Sequence, residues 1–281
     1  MSRVHKPHRW QWLWLIPAAL LVWWPLWFLF MGALMSQEEL RLTIGPALGL
    51  GTGYTVWPTL EPLLTLLLDT PQFFVMFWNS IGQSVAQVAG NLLVGAPAAW
   101  AISRLRFRGR SMVRGLYIVL MLLPFQVTMV PSYLVLRQFG LLDTPWAIIL
   151  PGIFSTFPVF IMERGFDTIP REVLESASID GANQWQRFWR IGIPLGIPGL
   201  ISALTLGFLD AWNAIEQPMT FLESPQYWPL SLFFTDPANL DTKQLGLAMA
   251  ASLWMLLPSI LVFRFGQTYL EAGLTKGAVK G

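Results

Sequence analysis

Four amide side chains recur at every fourth position early in the chain, at Asn79, Gln83, Gln87 and Asn91. On a helix this spacing places them on one slowly drifting polar stripe. Amides donate and accept hydrogen bonds, so the stripe could bind the hydroxyl groups of a passing solute, or it could bond to neighbouring helices. The spacing alone leaves both interpretations open.

Two carboxylates are the other candidates for a chemical role in apolar surroundings. Asp210 lies inside an apolar segment, and Glu216 lies near its end. A charge within a bilayer is costly unless it is paired or hydrated. We expect Glu216 to lie at the hydrated outer end of the segment, and the sequence assigns no role to Asp210.

The chain carries no recognisable motif of a catalytic or phosphate-binding site. It has no Gly-Lys pair, and so no phosphate-binding loop, no Gly-x-Ser-x-Gly elbow and no His-Glu-x-x-His pair. It has no cysteine, and both histidines, His5 and His8, lie in the basic N-terminal tail. The sequence therefore predicts a protein that is not an enzyme and that holds neither a metal ion nor a cofactor.

Apolar segments long enough to cross a bilayer make up most of the chain. Hydrophobic residues account for 54% of the sequence and charged residues for 12%, a balance that would leave a soluble protein with too much exposed apolar surface. We predict an all-α membrane protein, with one domain over residues 1–281 and six transmembrane helices. The predicted spans cover about residues 12–35, 73–103, 112–136, 146–162, 196–218 and 245–270. The first apolar run is too long for a cleaved signal peptide and is predicted to be retained.

Between the fourth and fifth predicted spans lies a charged loop, residues 163–195, whose pattern predicts helix, turn, helix. Thr168 is a candidate cap, Pro170 suits a first helical position, and Asp180-Gly181 predicts the turn at which the short helix ends. This helix is too short and too weakly apolar to span a bilayer. We expect it to lie beside the membrane and to dock into a partner.

The loop contains Glu175-Ser176-Ala177, three residues, Gly181, nine residues, and Ile191-Gly192-Ile193-Pro194. This resembles the EAA signature of permease subunits of bacterial binding-protein-dependent ABC importers, which reads Glu-Ala-Ala, three residues, Gly, nine residues, Ile, any residue, Leu, Pro. The chain departs from it at Ser176 and Ile193. The resemblance implies a type I ABC importer permease fold in which the loop 167–195 is a cytoplasmic coupling helix that contacts an ATPase subunit. The implied contacts are Glu175, Ser176, Ala177, Asp180, Gly181 and Ala182.

Beyond the loop, residues 76–281 resemble the carbohydrate-uptake branch of that family, the maltose-type second permease. The ending Gly-Leu-Thr-x-Gly-Ala-Val-Lys-Gly is typical of the branch, and it implies further ATPase contacts at Lys276, Gly277 and Lys280. The branch usually has an acidic residue after Trp-Asn, whereas Trp212-Asn213 is followed here by Ala214. The candidate translocation path comprises Gln83, Gln87, Asn91, Gln126, Tyr133, Trp212 and Asn213.

The distribution of positive charge predicts the orientation of the spans. The N-terminal tail, the 104–114 segment, the central loop and the C-terminal region hold 3, 5, 4 and 3 of the 18 Lys and Arg residues. Positive residues gather on the cytoplasmic face, so both termini and the central loop are predicted to be cytoplasmic.

The resemblance implies a subunit of the bacterial inner membrane that moves a sugar or oligosaccharide into the cytoplasm. It implies a heterodimer with a second permease, two ATPase subunits that hold ATP and magnesium, and an extracytoplasmic solute-binding protein; no nucleic acid is expected. Two other classes remain open. A secondary transporter would use buried acids and repeated halves, and a membrane-embedded enzyme would need titratable groups at membrane depth. Dependence on ATP and chemical conversion of the substrate would distinguish them.

Overall fold

The computed structural model describes residues 9–36, 38–40, 57–235 and 245–278, and every regular element within these ranges is helical. The chain divides into two compact units. The first comprises Met1–Phe74 and Phe234–Leu256, and the second comprises Val75–Phe233 and Leu257–Gly281. Each unit is described by itself below.

Besides a short helical segment at residues 38–40, the described residues contain twelve α-helices, joined by short connections and short π or 3-10 turns. They are α1 Arg9–Gly32, α2 Glu61–Leu64, α3 Pro71–Arg104, α4 Arg110–Leu122, α5 Phe125–Gln138, α6 Trp146–Ile153, α7 Thr156–Asp167, α8 Arg171–Ile179, α9 Gln184–Arg187, α10 Ile193–Asn213, α11 Glu216–Phe221 and α12 Leu245–Ala278.

Five helical stretches in the described residues are long and apolar enough to cross a membrane. They are Leu13–Gly32, Pro71–Arg104, Trp146–Asp167, Gln184–Asn213 and Leu245–Glu271, and the pair α4 and α5 makes a sixth if it counts as one bent span. The predicted all-helical membrane fold is confirmed.

Two of the predicted spans differ in detail from the observed helices. The predicted span 112–136 consists of two helices bent by 102°, because Pro124, with φ −66° and ψ 149°, leaves the helical conformation. The predicted span 196–218 ends at Asn213, because the next residue, Ala214, is extended, and its carbonyl accepts a hydrogen bond from Ser231 Oγ at 2.5 Å.

In the first unit, α1 is exposed along most of its length, and its large side chains, Trp14 and Trp23 among them, face away from the rest of the unit. The residues that follow α1 pack against the start of α12. Thr59 N donates to Leu34 O at 2.8 Å, and a Cβ atom added at Gly246 would lie 3.2 Å from both Leu40 and Pro62. The exposed face of α1 is that expected of a helix that meets lipid or another subunit.

The second unit has its core where α3, α7 and α10 meet. The rings of Trp100, Phe166 and Phe188 pack edge to face or tilted, with centroids 5.4–6.3 Å apart. Helices α7 and α10 touch through backbone, because a Cβ atom added at Gly165 would lie 2.6 Å from the Cα atom of Gly199. Small residues permit this close approach of two membrane helices.

Candidate functional site

The short helix α8 projects from the second unit in the middle of the charged loop. Its N-cap is Pro170, with φ −58° and ψ 140°, so Pro170 precedes the helix rather than starting it. Thr168 was predicted to cap α8, but its hydroxyl donates to Gly165 O at 2.8 Å and so satisfies a carbonyl at the end of α7. Ile169, between them, is buried in the core.

The turn at Asp180-Gly181 lies where the sequence predicted it. Helix α8 ends at Ile179, and Gly181 has φ +82°, a conformation in which glycine carries no side-chain penalty. Ala182 N donates to Ala177 O at 2.9 Å and closes the helix end. Asn183 and Gln186 then form a reciprocal capping box that starts α9.

The residues of the EAA-like motif form one projecting surface. Glu175, Ser176, Asp180 and Gly181 are exposed, and Ala177 and Ala182 are half-buried. Ile179, at the tip of α8, is 86% exposed. Within the described part of the chain, Glu175 has no ion pair. A charged group and a large apolar group that both face outward are typical of a surface that another protein covers.

Three arginines from the end of α3 and the start of α4 hold the base of this loop. Arg104 donates to the carbonyls of Phe166 and, at 2.6 Å, of Ile169. Arg114 forms ion pairs with the buried carboxylate of Glu163 and, at 3.3 Å, with Asp167.

The network extends back along α3. Arg110 donates to the carbonyls of Ile102 and Ser103 at 2.6 and 2.5 Å. Ser103 Oγ donates to Asp167 Oδ1 at 2.6 Å. Charge-assisted bonds of this kind are among the stronger hydrogen bonds in proteins, so α8 is attached to the helices through a rigid base.

A cavity of about 1360 Å³ lies at this base, between the 104–114 segment and α8. Three acidic residues line it, Asp167, Glu172 and Glu175, against twice as many basic ones. The basic residues are Arg104, Arg106, Arg110, Arg114, Arg171 and Arg187.

A second cavity, of about 1210 Å³, lies beside the C-terminal half of α10, between Leu204 and Asn213. Its polar lining includes Gln87, Asn91, Asp210, Asn213 and Glu216. Its apolar lining includes the rings of Phe125, Phe154 and Phe157. Cavities of this mixed character bind small molecules.

Most amides of the α3 stripe bond to backbone carbonyls of other elements. Asn79 Nδ2 donates to Gln226 O at 2.7 Å and to Trp228 O at 3.1 Å, and Gln83 Nε2 donates to Tyr227 O at 2.9 Å. Asn91 Nδ2 donates at 3.0 Å to the carbonyls of residues 153 and 155. The stripe thus bonds α3 to the 226–228 segment and to the connection between α6 and α7. Of its four amides, Gln87 and Asn91 line the second cavity.

The structure brings only part of the predicted path together. Gln87, Asn91 and Asn213 line the second cavity, whereas Gln83, Gln126, Tyr133 and Trp212 are not among its described lining residues. Gln126 Nε2 donates to Glu216 Oε1 at 2.7 Å. Tyr133 packs on the cluster around Leu136, and Trp212 is buried against Phe208 and Phe77.

The predicted C-terminal contacts fall at the limit of the structure. The backbone of α12 extends through Lys276 and Gly277, but the side chain of Lys276 is not described. Lys280 lies outside the described residues.

Sequence reasoning missed the role of Asp143. This residue has φ +54°, and its carboxylate accepts hydrogen bonds from Glu223 N at 2.9 Å and from the amide and hydroxyl of Ser224 at 2.7 and 2.5 Å. The Ser224 hydroxyl, followed by the backbone amides, lowers the pKa of Asp143 below its usual value. The sequence signal was present, as Asp143 lies in a Gly-Leu-Leu-Asp-Thr segment with turn character.

Comparison with known proteins identifies the class to which this helical bundle belongs. Residues 91–276 match the model of the binding-protein-dependent transport system inner membrane component. The chain belongs to this family, and it is therefore a permease subunit of an ABC transporter.

Particular relatives agree with this assignment. The chain is 33% identical over 211 residues to the inner membrane ABC transporter permease protein YcjP of Escherichia coli K12. The aligned region covers 74% of this chain and 75% of that protein. It is 28% identical over 223 residues to the arabinooligosaccharides transport system permease protein AraQ of Halalkalibacterium halodurans. That alignment covers 79% of this chain and 80% of AraQ. A solved chain from a bacterial ABC transporter involved in the import of the acidic polysaccharide alginate shares the fold, with a TM-score of 0.77 at 24% identity over 92% of this chain and 94% of that chain.

Proposed function

We propose that this permease subunit moves a sugar or an oligosaccharide into the cytoplasm, driven by ATP hydrolysis on separate ATPase subunits. The names of two similar proteins, a permease for arabinooligosaccharides and a transporter of alginate, support a carbohydrate substrate. The lining of the second cavity supports it too, since amide and carboxylate groups can bond sugar hydroxyls while aromatic rings pack on the apolar faces of sugar rings.

The rigid attachment of α8 is the observation that carries the coupling role. Its outer surface, with Glu175 and Ile179, is exposed for a partner, whereas Ile169 just before it is buried in the core and Arg104 bonds the carbonyls at its base. A force on α8 would therefore move α3, α7 and α10 together. ATP-driven closure of the ATPase subunits would act on this lever and change the side to which the cavity opens.

The complete transporter in this proposal contains a second permease as a heterodimeric partner, two ATPase subunits and an extracytoplasmic solute-binding protein. ATP and magnesium bind the ATPase subunits, and the tail residues Lys276, Gly277 and Lys280 add contacts to them. The second permease completes the wall of the second cavity, which lies open on this chain.

Both termini and α8 lie in the cytoplasm in this proposal. The arginines of the 104–114 segment bond to the base of α8, so these two positive segments lie on one side of the membrane, and the positive-inside rule assigns that side to the cytoplasm. The chain lacks cysteine, so single cysteines can report the side. Ser178→Cys should react with a membrane-impermeant maleimide only in inside-out vesicles, and Glu223→Cys only in right-side-out vesicles. The reverse pattern would contradict the orientation.

The coupling role is tested by comparing two glycines of the same backbone type. Gly181 in the α8 turn and Gly140 after α5 have φ +82° and φ +65°, and a Cβ atom at either would meet nothing within 4 Å. A tryptophan at each position therefore costs similar backbone strain, but only Gly181→Trp obstructs the surface offered to the ATPase.

In the reconstituted transporter, Gly181→Trp should abolish ATP-dependent sugar uptake, while Gly140→Trp should retain most of it at equal membrane abundance. Equal uptake by the two variants would contradict the coupling role of α8. Uptake that proceeds without ATP would favour the secondary transporter instead.

A further inference from the structure

The wall of the second cavity carries negative charge that no described residue of its lining compensates. Among the described residues that line it, Asp210 and Glu216 are the charged ones, and none is basic. Asp210 is exposed to the cavity and has no ion pair within the described part of the chain. Glu216 accepts a hydrogen bond from Gln126 at 2.7 Å, but an amide is neutral and leaves the carboxylate charge in place.

Amide oxygen atoms of residues that line this wall have no hydrogen-bond donor among the described residues. Asn91 is 3% exposed, and its nitrogen is already bonded to the two carbonyls at residues 153 and 155. Its buried Oδ1 atom has no hydrogen-bond partner in the part of the chain that the structure describes. Asn213 likewise donates its nitrogen to Leu209 O at 2.7 Å. A hydroxyl or ammonium group can donate to such oxygens, whereas an ionised carboxylate can only accept.

We infer that this wall is selective for charge: it admits saccharides whose polar groups are hydroxyls or ammonium groups, and it disfavours acidic saccharides such as uronates and sugar phosphates. Asp210 and Glu216 are the specificity-determining residues. They repel anions, and Asn91 adds a buried acceptor that a carboxylate cannot satisfy. The inference rests on the proposed function, because it concerns the solute that crosses this cavity.

The electrostatic potential at the wall can be measured without knowing the substrate. Because the chain has no cysteine, Ala214→Cys introduces a single thiol into the cavity lining, four residues after Asp210 and two before Glu216. The assembled transporter in neutral detergent is treated with two methanethiosulfonates of similar size, one bearing a trimethylammonium group and one a sulfonate. Each rate is divided by the rate of the same reagent with a small neutral thiol.

The cationic reagent should react about tenfold faster than the anionic one at this position in low salt. The preference should fall severalfold when Asp210→Asn and Glu216→Gln are combined in the same chain, and it should also weaken in 0.5 M salt. Both substitutions are nearly isosteric, and the salt measurement requires no change to either carboxylate. Ser178→Cys at the arginine-lined cavity is the matched control, and there the anionic reagent should react faster.

If the preference for the cationic reagent changes by less than twofold when both carboxylates are neutralised, the inference is overturned. A preference for the anionic reagent at Ala214→Cys would overturn it too. These rates do not depend on uptake. A transporter that labels as expected but moves no sugar would therefore contradict the proposed function and leave the charge of the wall established.

Discussion

The two cavities of the second unit lie at different positions along α3, and the charged residues that line them differ in sign. Six arginines and three acidic residues line the one beside α8. Two carboxylates and no basic residue, among those the structure describes, line the other. Helix α3 contributes Arg104 to the first cavity and Asn91 to the second, and it thus connects a positive region to a negative one.

The two regions also differ in how far their polar groups are already bonded. At the arginine end, three of the six arginines, Arg104, Arg110 and Arg114, are each bonded to carbonyls or carboxylates of the same chain. The buried Nε atom of Arg187 is an exception, since it has no hydrogen-bond partner among the described residues. At the acidic end, Asp210 has no ion pair, and the buried Oδ1 atom of Asn91 has no hydrogen-bond partner, among the residues that the structure describes. The first arrangement suits a region that transmits force, and the second suits one that receives a solute.

The largest expected effect follows from breaking the arginine network at its buried member. Glu163 is 3% exposed and forms an ion pair with Arg114. Arg114→Met would leave that carboxylate buried without a partner, which costs about 3–5 kcal/mol. The solubilised transporter should therefore unfold at a clearly lower temperature, measured by thermal denaturation of the purified complex.

Two controls separate this cost from a general effect of removing positive charge. Arg114→Met combined with Glu163→Gln removes both charges and should recover most of the loss. Arg108→Met changes an exposed arginine and should alter stability by no more than about 0.5 kcal/mol. If the single Arg114→Met variant is as stable as the native protein, the base of α8 is not held by this ion pair.

A smaller effect is expected at Asp143, which lies just before α6, away from the arginine contacts at the end of α7. Asp143→Asn keeps a residue type that tolerates φ +54° and removes the charge that accepts bonds from Glu223 and Ser224. The free energy of unfolding should fall by about 1–2 kcal/mol at pH 7, because hydrogen bonds to a charged acceptor are replaced by bonds to a neutral one.

The pH dependence of this difference has a defined sign. The pKa of Asp143 is lower in the folded protein than its usual value of 3.8, so its stabilising contribution is complete above that value and is lost as the pH falls through the folded pKa. The stability difference between the native protein and Asp143→Asn should therefore shrink between pH 6 and pH 3, measured as the difference in denaturation temperature. A difference that stays constant over this range would show that the charge of Asp143 contributes nothing.

The sequence predicted the elements of this fold because their signals are local. The length of each apolar run predicted a membrane helix, and Asp180-Gly181 predicted the end of α8 from the conformational preference of glycine alone. The span predicted over residues 112–136 is bent at Pro124, and the angle of 102° depends on packing that no local pattern encodes. The end of α10 at Asn213 likewise reflects a contact with Ser231, 17 residues away from Ala214.

The candidate site was predicted only in part because its contacts join distant residues. Arg104 was assigned to a side of the membrane by its charge, and nothing in the sequence indicated that it bonds a carbonyl 62 residues away. The spacing of the amides predicted a polar stripe, but the partners of Asn79 and Gln83 lie more than 140 residues later. Local periodicity places side chains on a helix face and does not identify what that face meets.

The smallest effect in the comparison is expected at Ser103, which tests whether the arginine end acts as one network. Ser103→Ala removes the 2.6 Å bond to Asp167 Oδ1, while Arg114 still contacts Asp167 Oδ2 at 3.3 Å. The free energy of unfolding should fall by about 0.5–1.5 kcal/mol. Because Ser103 and Arg114 share Asp167, the double variant should depart from the sum of the single losses by at least about 0.5 kcal/mol, measured as a double-mutant cycle by denaturation. Strict additivity would mean that the bonds around α8 are independent, and the contrast between a bonded arginine end and an open acidic end would then reflect the number of contacts rather than a connected base.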